Sequence, residues 1–226
     1  MTLACLKTYV NGQAQVDEKP VLRACRLCPE ARASAAAIGE SAARRGHVGV
    51  VRWALETDMS PRMAVAAARY GHVRVLKLLI GQTRQFDGPG LFMAAARGGH
   101  ARALRLLFHA GFSWDSNSTW AAARGGHVAV LRWLLSQGCP VDVSASEAAA
   151  MSGCVRALAL LKMYQAPFDI KMCAHAAILS GNAPVIEWLH RNMGFEVDEA
   201  SCRLACESRN LDALDALLVC ARVHLS

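Results

Sequence analysis

The sequence predicts an all-α chain, a solenoid of stacked helix–turn–helix repeats. Three observations carry this. A Gly-His pair recurs at nearly constant spacing, an apolar helical pattern follows every copy, and an alanine-rich helix end precedes it. Intact pairs stand at Gly46-His47, Gly71-His72, Gly99-His100 and Gly126-His127, with altered copies at Gly153-Cys154, Gly181-Asn182 and Arg209-Asn210. From residue 47 the steps are 25, 28, 27, 27, 28 and 28 residues. A fixed period of this size marks a repeat architecture.

The first helix of each unit ends in nearly pure alanine: Ala66-Ala67-Ala68, Ala94-Ala95-Ala96, Ala121-Ala122-Ala123 and Ala148-Ala149-Ala150. Ser41-Ala42-Ala43 and Ala176-Ala177-Ile178 are looser versions. Alanine is the strongest helix former, and its short side chain lets helix backbones approach closely. The glycine that follows supplies a positive-φ turn. The second helix then opens. Val48, Val73, Ala101, Val128, Val155, Ala183 and Leu211 lie one residue after the anchor. Four residues on are Val51, Leu76, Leu104, Leu131, Leu158, Ile186 and Leu214, and seven on are Ala54, Leu79, Leu107, Leu134, Leu161, Leu189 and Leu217. Such offsets fall on one side of a helix. Asp87, Asp115, Asp142, Asp169 and Asp198 recur in the connecting loop, where a carboxylate accepts orphan N–H groups of the next helix. Ser144-Ala145-Ser146-Glu147 reads as a capping box.

These residues resemble the ankyrin repeat family, whose core runs roughly Leu-Ala-Ala-x-x-Gly-His, an apolar helix ending in Leu-Leu, and Gly-Ala-x-Val-Asp. The segment AAARGGHVAVLRWLLSQGCPVD at 121–142 carries the resemblance best, and FHAGFSWD at 108–115 repeats its closing part. The similarity covers about residues 35–220. It departs in two ways. The period is 27–28 residues rather than about 33, and the Thr-Pro-Leu-His opening is missing. The resemblance therefore implies inter-repeat hairpins cut down to short turns, as in short-period arrays of protist and algal type. The expected organisation is one solenoid over 1–226, with a degenerate N-terminal capping repeat at 1–34, core repeats at 35–208 and a C-terminal capping helix at 209–226.

Composition limits the function. Apolar residues make up 54%, which rules out disorder. No run of 18 or more uncharged apolar residues occurs, so no membrane span is expected. The first residues lack the pattern of a secretory signal. The 9 cysteines are odd in number and irregularly spaced, which fits free thiols in an intracellular, most simply cytoplasmic, protein. Cys25-x-x-Cys28 has no second pair, so it reads as helix packing rather than zinc ligation. His47, His72, His100 and His127 sit at a structural position that also accepts Cys154, Asn182 and Asn210, which points to a turn role. No phosphate loop, nucleophile elbow or zinc-protease helix is present, so neither enzyme activity nor a cofactor is expected.

Charge is unevenly placed. Residues 44–135 hold 13 Lys and Arg against 4 Asp and Glu, whereas 136–226 hold 7 against 10. Arg44, Arg69, Arg97 and Arg124 each precede their anchor by three residues, and Arg52, Lys77, Arg105 and Arg132 each follow it by five. The resemblance implies that the first set borders the concave, partner-binding surface and that the second is solvated. Trp53, Trp133 and Trp188 replace leucines and read as core. Trp114 and Trp120 fall in or near a loop and are candidate interface anchors. The expected function is a scaffold or adaptor that binds a protein, plausibly an acidic one, through Arg44, Arg69, Arg97, Arg124, Trp114 and Trp120. The alternative is a structural subunit of a ribonucleoprotein or multi-protein assembly, its basic middle lying on RNA phosphates.

Overall fold

In the computed structural model, residues 22–23, 29–58, 60–82 and 86–223 are described. Cys25, Cys28 and most of the expected N-terminal capping repeat lie outside them. The backbone divides at Ser113/Trp114 into two compact units.

Unit 1 contains α1 (Pro29–Ala33), α2 (Ala35–Arg45), α3 (Val48–Thr57), α4 (Pro61–Arg69), α5 (Val73–Gln82), α6 (Gly88–Arg97) and α7 (Ala101–His109). Unit 2 contains α8 (Ser116–Arg124), α9 (Val128–Ser136), α10 (Val143–Met151), α11 (Val155–Met163), α12 (Ile170–Leu179), α13 (Ala183–Met193), α14 (Glu199–Glu207) and α15 (Leu211–Val223). Each unit is an all-α repeat solenoid. First helices pack on first helices, α2 on α4 on α6 and α8 on α10 on α12 on α14, and each is backed by its own second helix. Among the described residues there is no strand, and the loops between repeats are short extended turns.

The alanines permit this packing. Ala66 to Ala68, Ala94 to Ala96, Ala121 to Ala123 and Ala148 to Ala150 are all buried, most of them completely. The turn that ends each first helix is built identically. The anchor N–H donates five residues back, from His47 to Ala42 O, His72 to Ala67 O, His100 to Ala95 O and His127 to Ala122 O. Cys154, Asn182 and Asn210 do the same to Ala149, Ala177 and Ala205. This six-to-one closure needs a left-handed residue before the anchor. Gly46, Gly71, Gly99, Gly126, Gly153 and Gly181 supply it with φ between 67° and 80°. Arg209 adopts φ 55° at the last turn, where a side chain is strained.

Second helices bury a stripe that differs from the expected one. Residues four and seven after the anchor are buried in nearly every repeat, as read from the sequence. The third member is the residue at offset three: Val50, Val75, Ala103, Val130, Ala157, Val185 and Ala213. Those at offset one are half-buried, and Leu211 is exposed. The recurrent aspartates all stand at N-caps. Asp87, Asp142, Asp169 and Asp198 accept from the N–H of Gly90, Ser144, Met172 and Ser201. Asp115 instead takes the amide of Asn117 at 2.7 Å. The capping-box reading is corrected here: α10 begins at Val143 with Asp142 as its cap, and Ser144 lies inside the first turn, donating its hydroxyl to Asp142. Leu211–Val223 provides the final helix, at the expected place.

Candidate interaction surface

The four sequence-selected arginines occupy equivalent places. Arg69, Arg97 and Arg124 are the last residues of α4, α6 and α8, and Arg44 is in the last turn of α2. All four are exposed. Arg44 pairs with Glu40 one turn earlier. Arg44, Arg69 and Arg97 belong to unit 1, and Arg124 to unit 2. The second basic set, Arg52, Lys77, Arg105 and Arg132, lies exposed on second helices. The two sets therefore sit on different layers.

One helical turn before each position of this row lies a second row of residues, of which the sequence reading singled out only Trp120 for the surface. These are Glu40, Val65 and Met93 in unit 1, and Trp120, Glu147, His175 and Arg203 in unit 2. The i, i+4 spacing to the arginine row was the available signal. Val65 is 39% exposed and His175 is exposed, while Met93 and Trp120 are half-buried. In unit 2 the arginine position itself becomes apolar: Met151 is 41% and Leu179 is 58% exposed.

Trp114 and Trp120 are both half-buried rather than projecting from a loop. Trp114 packs edge-on against Trp133, with ring centroids 6.0 Å apart at 88°. Trp53 is buried, as read for a core residue, while Trp133 and Trp188 keep part of their surface in solvent.

The anchors tie neighbouring repeats together. The His72 Nε2–H donates to Arg44 O of the preceding repeat at 2.8 Å. Asn182 donates its amide to Ala150 O at 3.1 Å and Met151 O at 3.0 Å. Asn210 reaches Ile178 O at 2.8 Å and Leu179 O at 3.0 Å. These carbonyls belong to the last turn of a first helix, where Ala150 O and Ile178 O also accept from the N–H of Gly153 and Gly181. The rings also fill the space beside the preceding turn. A Cβ on Gly46 would meet the His72 ring at 2.6 Å, and one on Gly71 would run into His100. The turn role read for the histidines is thus a strut between repeats.

A second strut was missed. The Thr119 hydroxyl donates to Ser116 O and Pro140 O, and the Ser146 hydroxyl to Val143 O and Pro167 O. Each links the start of a first helix to the loop of the next repeat. Thr119 and Ser146 lie one 27-residue period apart, but Ala64, Phe92 and Ala174 fill the same register elsewhere, so the hydroxyl does not recur through the array. Ser118 Oγ and Asp115 Oδ1 are buried without a hydrogen-bond partner. Two of the free thiols are held protonated by burial. Burial pushes the Cys139 thiol up to about 12 and the Cys173 thiol up to about 11. Among the described residues no group of three or more His, Cys, Asp or Glu side chains is placed to hold a metal ion. No helix there is long and apolar enough to cross a membrane.

Residues 63–147 match the family described as ankyrin repeats, in three copies. Over 63–147 the repeats are of the ankyrin type. The ankyrin repeat domain of human ASB11 is similar in structure, with a TM-score of 0.60 over 80% of this chain and 96% of that one, at 18% identity. No curated protein matches the chain. Ankyrin repeats are protein–protein interaction modules, and binding to a protein partner is the general function this assigns.

Proposed function

We propose that this ankyrin-repeat chain is a non-enzymatic scaffold or adaptor that holds a protein partner against the exposed side of its first helices and the adjoining loops. One observation carries the reading. The last turn of every first helix presents a solvent-facing side chain at the same register, on a backbone fixed by the glycine turn and the anchor strut. Side chains projected from so rigid a frame lose little entropy when they dock. Arg69 and Arg97 beside Val65 and Met93 combine a guanidinium with apolar contact, and Arg124 stands beside Trp120. Such pairing suits an interface whose partner offers carboxylates around an apolar centre.

Charge reversal at Arg97 and Arg124 together tests it. Quantitative affinity purification with the wild type and with R97E/R124E should show selective loss of one protein, about tenfold or more. Reversal of Arg52 and Arg132, exposed on second helices, should leave that protein bound. Equal recovery by both variants would refute the docking surface. The rival reading, RNA phosphates on the basic part, is supported by net charge alone. It requires retardation of RNA in a gel at low salt, falling steeply as salt is added.

A further inference from the structure

The arginines of unit 1 gather at one edge of the fold. Arg44 and Arg45 end α2, Arg69 ends α4 and Arg97 ends α6. Across the glycine turns, Arg74 and Arg102 are the second residues of α5 and α7. All six are exposed, and none of the positions is lysine. A groove runs along this edge, lined by Gly71, His72, Arg74, Gly99, His100 and Arg102. Four described carboxylates of unit 1 lie elsewhere. Glu56 and Asp58 stand at the far end of α3, Asp87 caps the far end of α6, and Glu40 sits one turn inside, paired with Arg44. Arg69, Arg74 and Arg102 make no ion pair among the described residues. At the corresponding positions of unit 2 the pairs are Arg124 and Ala129, Met151 and Arg156, Leu179 and Pro184, and Glu207 and Asp212. The doubled arginine is confined to the repeats ending at Arg69/Arg74 and Arg97/Arg102.

We infer that this turn edge of unit 1 is a docking groove for an extended acidic segment of a protein, held between Arg69 and Arg97 on one side and Arg74 and Arg102 on the other. It rests on the proposed function in that the occupant is a protein, and it moves the charged contact from the first-helix face to the turn. Guanidinium groups grip carboxylates with two parallel hydrogen bonds, which an ammonium does not do. Spacing fits such a segment. Neighbouring helices of such repeats lie about 10 Å apart. An extended polyproline-II chain returns to the same side every third residue, about 9.3 Å on. Carboxylates three residues apart therefore keep step with the repeats. Phosphates of a nucleic acid strand, about 3.4 Å apart along the axis, bring one in three to the same step, so the surroundings rather than the spacing favour a peptide. A single exposed aromatic, Tyr70, lies at this edge, where single-strand binders present an aromatic for successive bases.

Fluorescence anisotropy with three labelled probes tests the groove: a (Glu-Pro-Pro)4 peptide, a peptide of the same composition with its four glutamates contiguous, and a 12-nucleotide oligo(U). The spaced peptide should bind most tightly, at least about fivefold above the other two. R74E/R102E should weaken it about tenfold or more, and R52E/R105E less than twofold. R74Q/R102Q, which adds no new charge, should weaken it in the same direction. Stronger binding of oligo(U), equal binding of the two peptides, or equal loss from both glutamate variants would overturn the inference. If R97E/R124E abolishes partner capture while R74E/R102E leaves both capture and peptide binding intact, the first-helix surface stands and the turn groove falls.

Discussion

The two units use one skeleton and dress it differently. Both close every first helix with the same backbone bond, and both stack alanine faces. Yet unit 1, residues 1–113, carries 16 Lys and Arg against 7 Asp and Glu, and unit 2, residues 114–226, carries 9 against 11. Their struts differ as well. In unit 1 one imidazole nitrogen of His72 meets one carbonyl, whereas in unit 2 the amides of Asn182 and Asn210 each meet two consecutive carbonyls. The contrast separates two tasks. Positions facing the neighbouring repeat keep their chemistry whatever their residue name. Positions facing solvent are free to change sign, and they do.

Glycine substitutions probe that contrast most strongly. Gly71 in unit 1 and Gly126 in unit 2 have φ 73° and 67°. A Cβ at Gly71 runs into the His100 ring, while one at Gly126 meets nothing within 4 Å. Gly126→Ala should cost about 1–2 kcal/mol, the strain of a left-handed alanine. Gly71→Ala should cost about 3 kcal/mol, since the strut must also move. Urea unfolding of the two variants measures the difference, and equal costs would mean that the histidine does not brace the turn.

The struts come next. Asn182→Ala removes two hydrogen bonds and should lose about 2 kcal/mol, against about 1 kcal/mol for His72→Ala, which removes one. Thermal unfolding of both variants gives the order, and a reversed order would sever strut strength from the number of bonds.

Arg209 allows a gain. It occupies the glycine position of the last turn at φ 55°. Arg209→Gly should stabilise the chain by about 1 kcal/mol through relief of that strain, less the added freedom of the unfolded chain.

The smallest effect concerns the thiols. Cys139 and Cys173 are buried with raised thiol pKa values, and Cys206 is exposed. A folded-state pKa above the unfolded 9.0 favours the protonated, folded form. That contribution is whole below pH 9 and disappears between pH 9 and about 12 for Cys139. At neutral pH, alkylation followed by mass spectrometry should find Cys206 modified while Cys139 and Cys173 remain protected.

Much of this was readable beforehand because repeats average out noise. The glycine turns, the alanine faces and the aspartate caps recur at fixed register, and each has one physical meaning. The buried stripe was half-read. Offsets 4 and 7 define the face, but offset 3 lies about 70° from its middle and offset 1 about 90°, and apolar residues fill both. Ser144 imitated a cap because the true cap, Asp142, stands two residues earlier and accepts the N–H of Ser144 itself. Arg74 and Arg102 escaped notice because arginine holds this register in only three of seven repeats, with Arg156, and their meaning lies across a turn from Arg69 and Arg97. Trp114 looked like a loop anchor because its partner, Trp133, is 19 residues away in sequence. The division at Ser113/Trp114 leaves no mark on the period.

The central claim is that the arginines of unit 1 serve the surface and the glycine-anchor turns serve the fold. Urea unfolding of R69E/R97E beside the wild type tests it most directly. The account predicts a loss of about 1 kcal/mol, that of reversing two exposed cations at helix C-termini. A loss above about 2 kcal/mol would contradict it, because those guanidinium groups would then be holding the repeats together.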